Sequence, residues 1–131
     1  MIVDRQNIAS GAPWESIVGY SRAVRVGSLV FVGGTAPADS DGNLVGAGDP
    51  YLQARFCLEK IERALREAGA TMADVVRTRM FVTDISQWEA FGRAHAEFFG
   101  QVRPAATMVE VARLISPGMM IEIEVDAVLP P

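Results

Sequence analysis

Few side chains in this sequence are equipped for chemistry, and their spacing narrows the field further. Glu122 and Glu124 lie two apart in the run MIEIEVDAV over residues 120–128. Residues two apart on a strand share a face, so the two carboxylates point one way and Ile121, Ile123 and Val125 the other. Either both carboxylates face solvent, or the face lines a subunit interface and at least one becomes a general acid/base with a raised pKa. His95, the single histidine, falls on the apolar stripe of a helical pattern, where packing outweighs a general-base role; no second histidine shares a metal with it. Cys57 lies on another apolar stripe and reads as a small core residue, because a nucleophilic thiol needs exposure and a lowered pKa. Gly33-Gly34 either presents backbone N–H groups to an anion or ends a strand. Tyr20, after Gly19, reads as an exposed phenol, and Trp14 as an anchor or lid. Glu110 and Arg113 read most simply as a charged strand end forming ion pairs. These residues alone name no reaction.

The elements that must position them are legible from periodicity. Residues 23–32, AVRVGSLVFV, pair β-branched and aromatic positions around Gly27-Ser28, a hairpin signal. Gly33-Gly34 is expected to end its second strand, and 35–48 to form a loop. Asp49-Pro50 supplies an N-cap and first turn for a helix whose stripe is Ala54, Cys57, Leu58, Ile61, Ala64, Leu65 and Ala68, with Gly69 at its C-terminal end. Val75–Val82 reads as a strand with Arg77 and Arg79 on one face. Ser86 and Glu89 have capping-box spacing ahead of a helix marked by Trp88, Phe91, His95 and Phe98 and ended by Gly100. Strands over 107–112 and 120–128 follow, turned by Pro117-Gly118. The expected order is β-β-α-β-α-β-β, a mixed sheet with two helices on one face. The other face, with Val24, Phe31 and the Ile/Val positions of the last strand, would need cover from further copies of the chain.

Composition removes several classes of function. The 131 residues, half of them apolar and 21% charged, describe one globular domain. Twelve Lys+Arg against 16 Asp+Glu give a net charge of −4, with no basic stripe for nucleic acid. No apolar run is long enough to span a membrane. The N-terminus carries an acid and no apolar core, so it does not read as a signal peptide. A lone cysteine forms neither an internal disulfide nor a cysteine-cluster metal site. A cytoplasmic protein is the expectation.

The run Arg103-Pro104-Ala105-Ala106-Thr107-Met108-Val109-Glu110-Val111-Ala112-Arg113-Leu114, followed by Ile121-Glu122-Ile123-Glu124, resembles the signature of the RidA/YjgF family of reactive-intermediate deaminases, also labelled endoribonuclease L-PSP. The likeness covers nearly the whole chain: Gly19-Tyr20, VFVGGTAP at 30–37, Ala68-Gly69, Asp74-Val75-Val76-Arg77-Thr78 and Phe81-Val82-Thr83-Asp84 follow in the family order. It implies a chorismate-mutase-like α+β fold, a single domain over residues 1–131, and a homotrimer with a small-molecule site in each intersubunit cleft.

The resemblance also implies hydrolysis of a C=N bond, 2-imino acids giving 2-oxo acids and ammonia. Glu122 matches the family acid that orients or deprotonates the attacking water. Tyr20 matches the site tyrosine, and Gly34 the glycine whose N–H helps hold the substrate carboxylate. Met108 stands for a frequent cysteine whose carbonyl contacts the water, Gly33 stands for a serine, and the segment before Pro104 is several residues shorter than usual. The family's Pro-Ala-Arg-Ser/Thr motif here reads Pro104-Ala105-Ala106-Thr107, with Ala106 in place of the carboxylate-gripping arginine. Losing a hydrogen bond to a charged partner removes about 1.5–3 kcal/mol, so a simple 2-imino acid is expected to bind at least ~10–100 times more weakly. Neutral or cationic ligands become more reasonable. The expected site is therefore catalytic Glu122 with substrate-binding Tyr20, Gly34, Ala106, Thr107 and Met108, without cofactor, metal, nucleic acid or membrane. A non-catalytic metabolite-binding or regulatory protein is the alternative, and an endoribonuclease ranks last.

Overall fold

The computed structural model describes residues 4–131. Its elements are β1 (Arg5–Ile8), α1 (Pro13–Val18), β2 (Ala23–Val26), β3 (Leu29–Thr35), α2 (Pro50–Glu67), β4 (Val75–Val82), α3 (Trp88–Phe99), β5 (Ala105–Glu110) and β6 (Ile121–Val128). Short 3-10 turns, Met72–Asp74 and Ile85–Gln87, precede β4 and α3. The α+β class and mixed sheet are as expected, with two additions at the front: β1 and the six-residue α1 precede the hairpin. RQNI has no apolar alternation and becomes a strand by pairing antiparallel with β2. PWESIV is too short to show helical periodicity.

The sheet order is β1-β2-β3-β6-β4-β5. Among the described residues only β4 and β5 pair in parallel, as the α3 crossover between them requires. β6 lies between β3 and β4, antiparallel to both, and its residues alternate between buried and half-buried. Ile121, Ile123, Val125 and Ala127 pack beneath the helices with Leu58, Ile61, Leu65, Phe91 and Phe99. Each large apolar side chain buried this way stabilises the fold by about 1.5–3 kcal/mol. This corrects one expectation: the Ile/Val positions of the last strand are covered by the chain's own helices. It is Glu122, Glu124 and Asp126 that face the open side, where register places them opposite Phe81, Arg79 and Arg77. Arg79 Nη1 reaches Glu124 Oε1 at 3.3 Å and Asp126 Oδ2 at 3.4 Å. Leu29, Phe31 and Val128 are exposed nearby.

Local signals are realised unevenly. Asp49 caps α2 by accepting from Leu52 N at 3.0 Å, and Gly69 takes the left-handed conformation just past its end (φ 85°). The Ser86/Glu89 capping box does not form. Asp84, with a full charge and a shorter reach, captures Ser86 N at 3.0 Å and Ser86 Oγ at 2.6 Å, so a 3-10 turn precedes α3. A reciprocal box forms instead at Thr71 and Asp74.

Candidate functional site

Gly33-Gly34 does not end its strand. β3 runs on to Thr35, and Val32 pairs with Val125 while Thr35 pairs with Ile123, so the two glycines oppose the single residue Glu124. This β-bulge turns backbone out of the ladder, and both glycines line a cleft of about 630 Å³. Glu122 reaches the same cleft from β6. A Cβ on Gly34 would stand 2.7 Å from Glu122 Oε2, so the carboxylate rests directly against the glycine backbone. Burial pushes the Glu122 pKa above the ordinary carboxylate value; the Arg22 charge opposes that shift and Glu124 adds to it.

Arg22 organises the floor. Its side chain is almost fully buried, and Nη1 donates to Gly34 O, to Thr35 Oγ1 at 2.9 Å and to Gly33 O at 3.4 Å. Arg22 Nη2 donates to Tyr20 Oη at 3.3 Å, while Arg22 Nε lies 3.6 Å from Oε2 of the buried Glu15. One guanidinium thus ties the bulge, the Tyr20 phenol and the α1 turn together. Lys60, on α2, donates to Ala36 O at 3.1 Å and Ala38 O at 2.8 Å; burial and the nearby Arg22 charge push its pKa down. Neither cation was singled out by sequence reasoning. Arg22 stands just ahead of the AVRV strand, outside any pattern that would mark it, and Lys60 sits among other charges on the polar face of its helix.

The structure brings Tyr20, Gly34 and Glu122 to one cleft, with Trp14 and Val18 of α1 at its edge. It does not bring Ala106, Thr107 and Met108 there. They lie on β5, the outer strand, with β4 between it and Glu122. Ala106 and Met108 pair with Thr78 and Met80, and Thr107 with Arg79. Arg103 also stays outside, its Nε donating to Gly100 O at 3.1 Å. Glu110 and Arg113 do not pair: Glu110 accepts from Ile85 N at 3.0 Å, and Arg113 lines the cleft with Leu114 and Ile115.

The remaining candidates are structural. His95 Nε2 is 2.9 Å from Oγ1 of the buried Thr78, its ring centroid is 4.7 Å from that of Phe99, and burial lowers its pKa. Cys57 is fully buried in the core, which pushes its thiol pKa up. A smaller cavity of about 280 Å³, reached by Arg22 and Lys60 as well, contains none of the expected site residues. Among the described residues, no three His, Cys, Asp or Glu side chains group to hold a metal ion, and no helix is long and apolar enough to cross a membrane. Chemically, the cleft offers a half-buried carboxylate able to exchange a proton, beside a backbone held rigid from behind.

Comparison with known proteins agrees with this architecture. The Endoribonuclease L-PSP family model matches residues 10–129. A Mycobacterium tuberculosis protein, described as a member of the highly conserved YjgF/YER057c/UK114 family, superposes with a TM-score of 0.86 and 52% identity, covering 96% of this chain and all of that one. The Escherichia coli YjgF gene product superposes with a TM-score of 0.82 and 31% identity over 94% of this chain and 98% of that one. The 3-aminoacrylate deaminase RutC of Acinetobacter baylyi is 35% identical over 104 residues, 79% of this chain and 82% of its own length. With a family match over residues 10–129 and the same fold in its relatives, the chain belongs to the RidA/YjgF (endoribonuclease L-PSP) family.

Proposed function

We propose that the protein is a cytoplasmic homotrimer that hydrolyses a C=N bond in a small imine or enamine, using water held by Glu122. The observation that carries this reading is the half-buried Glu122 carboxylate, its pKa raised by burial, resting against the Gly33-Gly34 bulge inside the cleft. A 3-aminoacrylate deaminase among the relatives points to the same class of chemistry. In the proposed reaction Glu122 takes a proton from water as the oxygen adds to the imine carbon. That proton passes to nitrogen to give the carbinolamine; Glu122 then takes the carbinolamine's hydroxyl proton and hands it to nitrogen, the C–N bond breaks, and ammonia leaves as the C=O bond forms. An enamine is first protonated on carbon to give the imine, a step suited to a carboxyl group with raised proton affinity.

The trimer is proposed because the open face carries exposed Leu29, Phe31 and Val128 around the Arg79–Glu124–Asp126 ion group, and the β5 edge is bare. A neighbour covering this face would bury the apolar patch and bring its own Ala106, Thr107 and Met108 toward a cleft. With Ala106 where the resemblance expects arginine, the β5 strand supplies no cation to that cleft. Ligand binding without turnover is the second reading, and that missing cation is what favours it. Ribonuclease action ranks behind both, because His95 is engaged with Thr78 away from the cleft. The test is Glu122→Gln: loss of imine turnover with ligand binding retained supports hydrolysis, whereas full turnover removes Glu122 from the mechanism.

A further inference from the structure

The sequence holds a single lysine, Lys60; the other side-chain cations are all arginines. An arginine stays charged in any protein setting, whereas a lysine gives up its proton readily once buried. Lys60 is half-buried on α2 and borders both the Glu122 cleft and the smaller cavity beside it. Its Nζ donates to Ala36 O and Ala38 O and, among the described residues, has no third acceptor and no carboxylate partner. Two hydrogen bonds are what a neutral amine donates; an ammonium would carry a third N–H without a protein partner. The surrounding groups favour the neutral form as well. Arg22 and Arg63 repel a further cation, while Glu15 and Cys57 attract one. Glu15 is already engaged by Arg22 and Ser10, and burial keeps the Cys57 thiol protonated. The Phe56 ring, its centroid 5.7 Å from Nζ, offers only the weaker attraction of an aromatic face. Lys60 therefore carries a nitrogen lone pair to the wall of the cleft.

We propose that Lys60 is a carbonyl-capturing nucleophile, condensing with a small aldehyde or ketone in the cleft to form a Schiff base on Nζ. This activity goes beyond imine hydrolysis and stands or falls on Lys60, whatever Glu122 does. The Nζ lone pair adds to the carbonyl carbon, and one amine proton moves to the oxygen to give a carbinolamine. The C–O bond then breaks as nitrogen forms the C=N bond, and the hydroxyl leaves as water with the second amine proton. Both amine protons and the carbonyl oxygen depart together as water, so no oxidant or reductant takes part. Water reverses the step, and the captured compound leaves unchanged. The ligand class is an unhindered carbonyl compound, since the attacking nitrogen is half-buried and already held by two backbone carbonyls.

The test uses propanal with sodium cyanoborohydride, which reduces a Schiff base to a stable secondary amine, on the intact protein, read by peptide mass mapping. A single lysine leaves the α-amine as the other amine to be labelled. Arg66→Lys adds an ordinary lysine to the same helix as an internal reference; the Arg66 side chain is 70% exposed and pairs with Glu62 alone among the described residues, so the change leaves the fold intact. At pH 7, Lys60 is expected to gain a propyl group ahead of the lysine introduced at position 66, although it is the less exposed of the two. Its lead should shrink as the pH rises toward the ordinary lysine pKa of about 10.4. Lys60→Arg, combined with Arg66→Lys, should lose the label on α2 at position 60 and keep the reference label. Labelling of the introduced lysine as fast as or faster than Lys60 at pH 7, or a native protein labelled at its α-amine alone, would overturn the proposal.

Discussion

Replacing Gly34 by alanine should separate the role of this glycine in the site from its role in the fold. The added Cβ would lie 2.7 Å from Glu122 Oε2 and 3.0 Å from its Cδ, and the nearest atoms it meets all belong to Glu122. Gly34 is not among the glycines with positive φ, so alanine fits the backbone. Ordinary carbon–oxygen contact needs more than 3 Å, so the carboxylate must retreat by roughly half an ångström to one ångström. Because the clash falls on the end of a flexible side chain, the expected loss of stability is small, within about 1–2 kcal/mol. Displacing a reacting group by ~1 Å, in contrast, costs turnover about 100-fold. Urea unfolding gives the first quantity. The second comes from hydrolysis of an imine generated in situ from leucine by an amino-acid oxidase. In a Glu122→Ala background the clash is gone, and Gly34→Ala should become neutral or stabilise by about 0.4–1 kcal/mol through the unfolded chain. The same loss of stability in both backgrounds would show that the glycine is not reserved for Glu122, and unimpaired turnover in the single variant would refute its part in placing the carboxylate.

Three further outcomes are expected. Burial raises the Glu122 pKa in the folded state, so its ionisation opposes folding: stability is fullest below the unfolded carboxylate pKa and falls as pH rises toward the folded value. Glu122→Gln should therefore be stabilised relative to the native protein at pH 7 and not at pH 3, as read by thermal unfolding at both pH values; a difference that ignores pH would contradict the burial argument. Asp49→Ala removes the cap on Leu52 N and should destabilise by about 1 kcal/mol in urea, with the slope of the transition unchanged. Phe31→Glu places a charge on the open face beside Asp126 and should convert a trimer to monomer in sedimentation experiments, whereas an unaltered mass would place the subunit interface elsewhere.

The fold was legible where periodicity is long. The stripe from Ala54 to Ala68 and the alternation from Ile121 to Val128 each name an element and its buried face. Alternation does not say what covers that face, so the Ile/Val positions of β6 read as needing a partner copy although α2 packs over the strand. β1 and α1 leave no mark in the sequence, because one has no apolar pattern and the other only six residues. At the site, Tyr20, Gly34 and Glu122 stood out through family resemblance. Arg22 and Lys60 do not, and Arg113 reads only as part of a charged strand end, because their places at the cleft depend on a β-bulge, a helix face and a loop meeting in three dimensions, and no local spacing encodes that meeting. The bulge itself was visible only as a Gly-Gly pair, which also suits a strand end.

The central claim is that Glu122 directs water onto a C=N bond in this cleft. The most direct measurement is the rate of hydrolysis of freshly generated imines by the native protein, Glu122→Gln and Ala106→Arg, using 2-iminopropanoate and the leucine-derived imine. The native protein should hydrolyse the leucine-derived imine, Ala106→Arg should gain activity on 2-iminopropanoate, and Glu122→Gln should match the spontaneous rate with both. Hydrolysis by Glu122→Gln at the native rate, or no acceleration by any of the three proteins, would contradict the account.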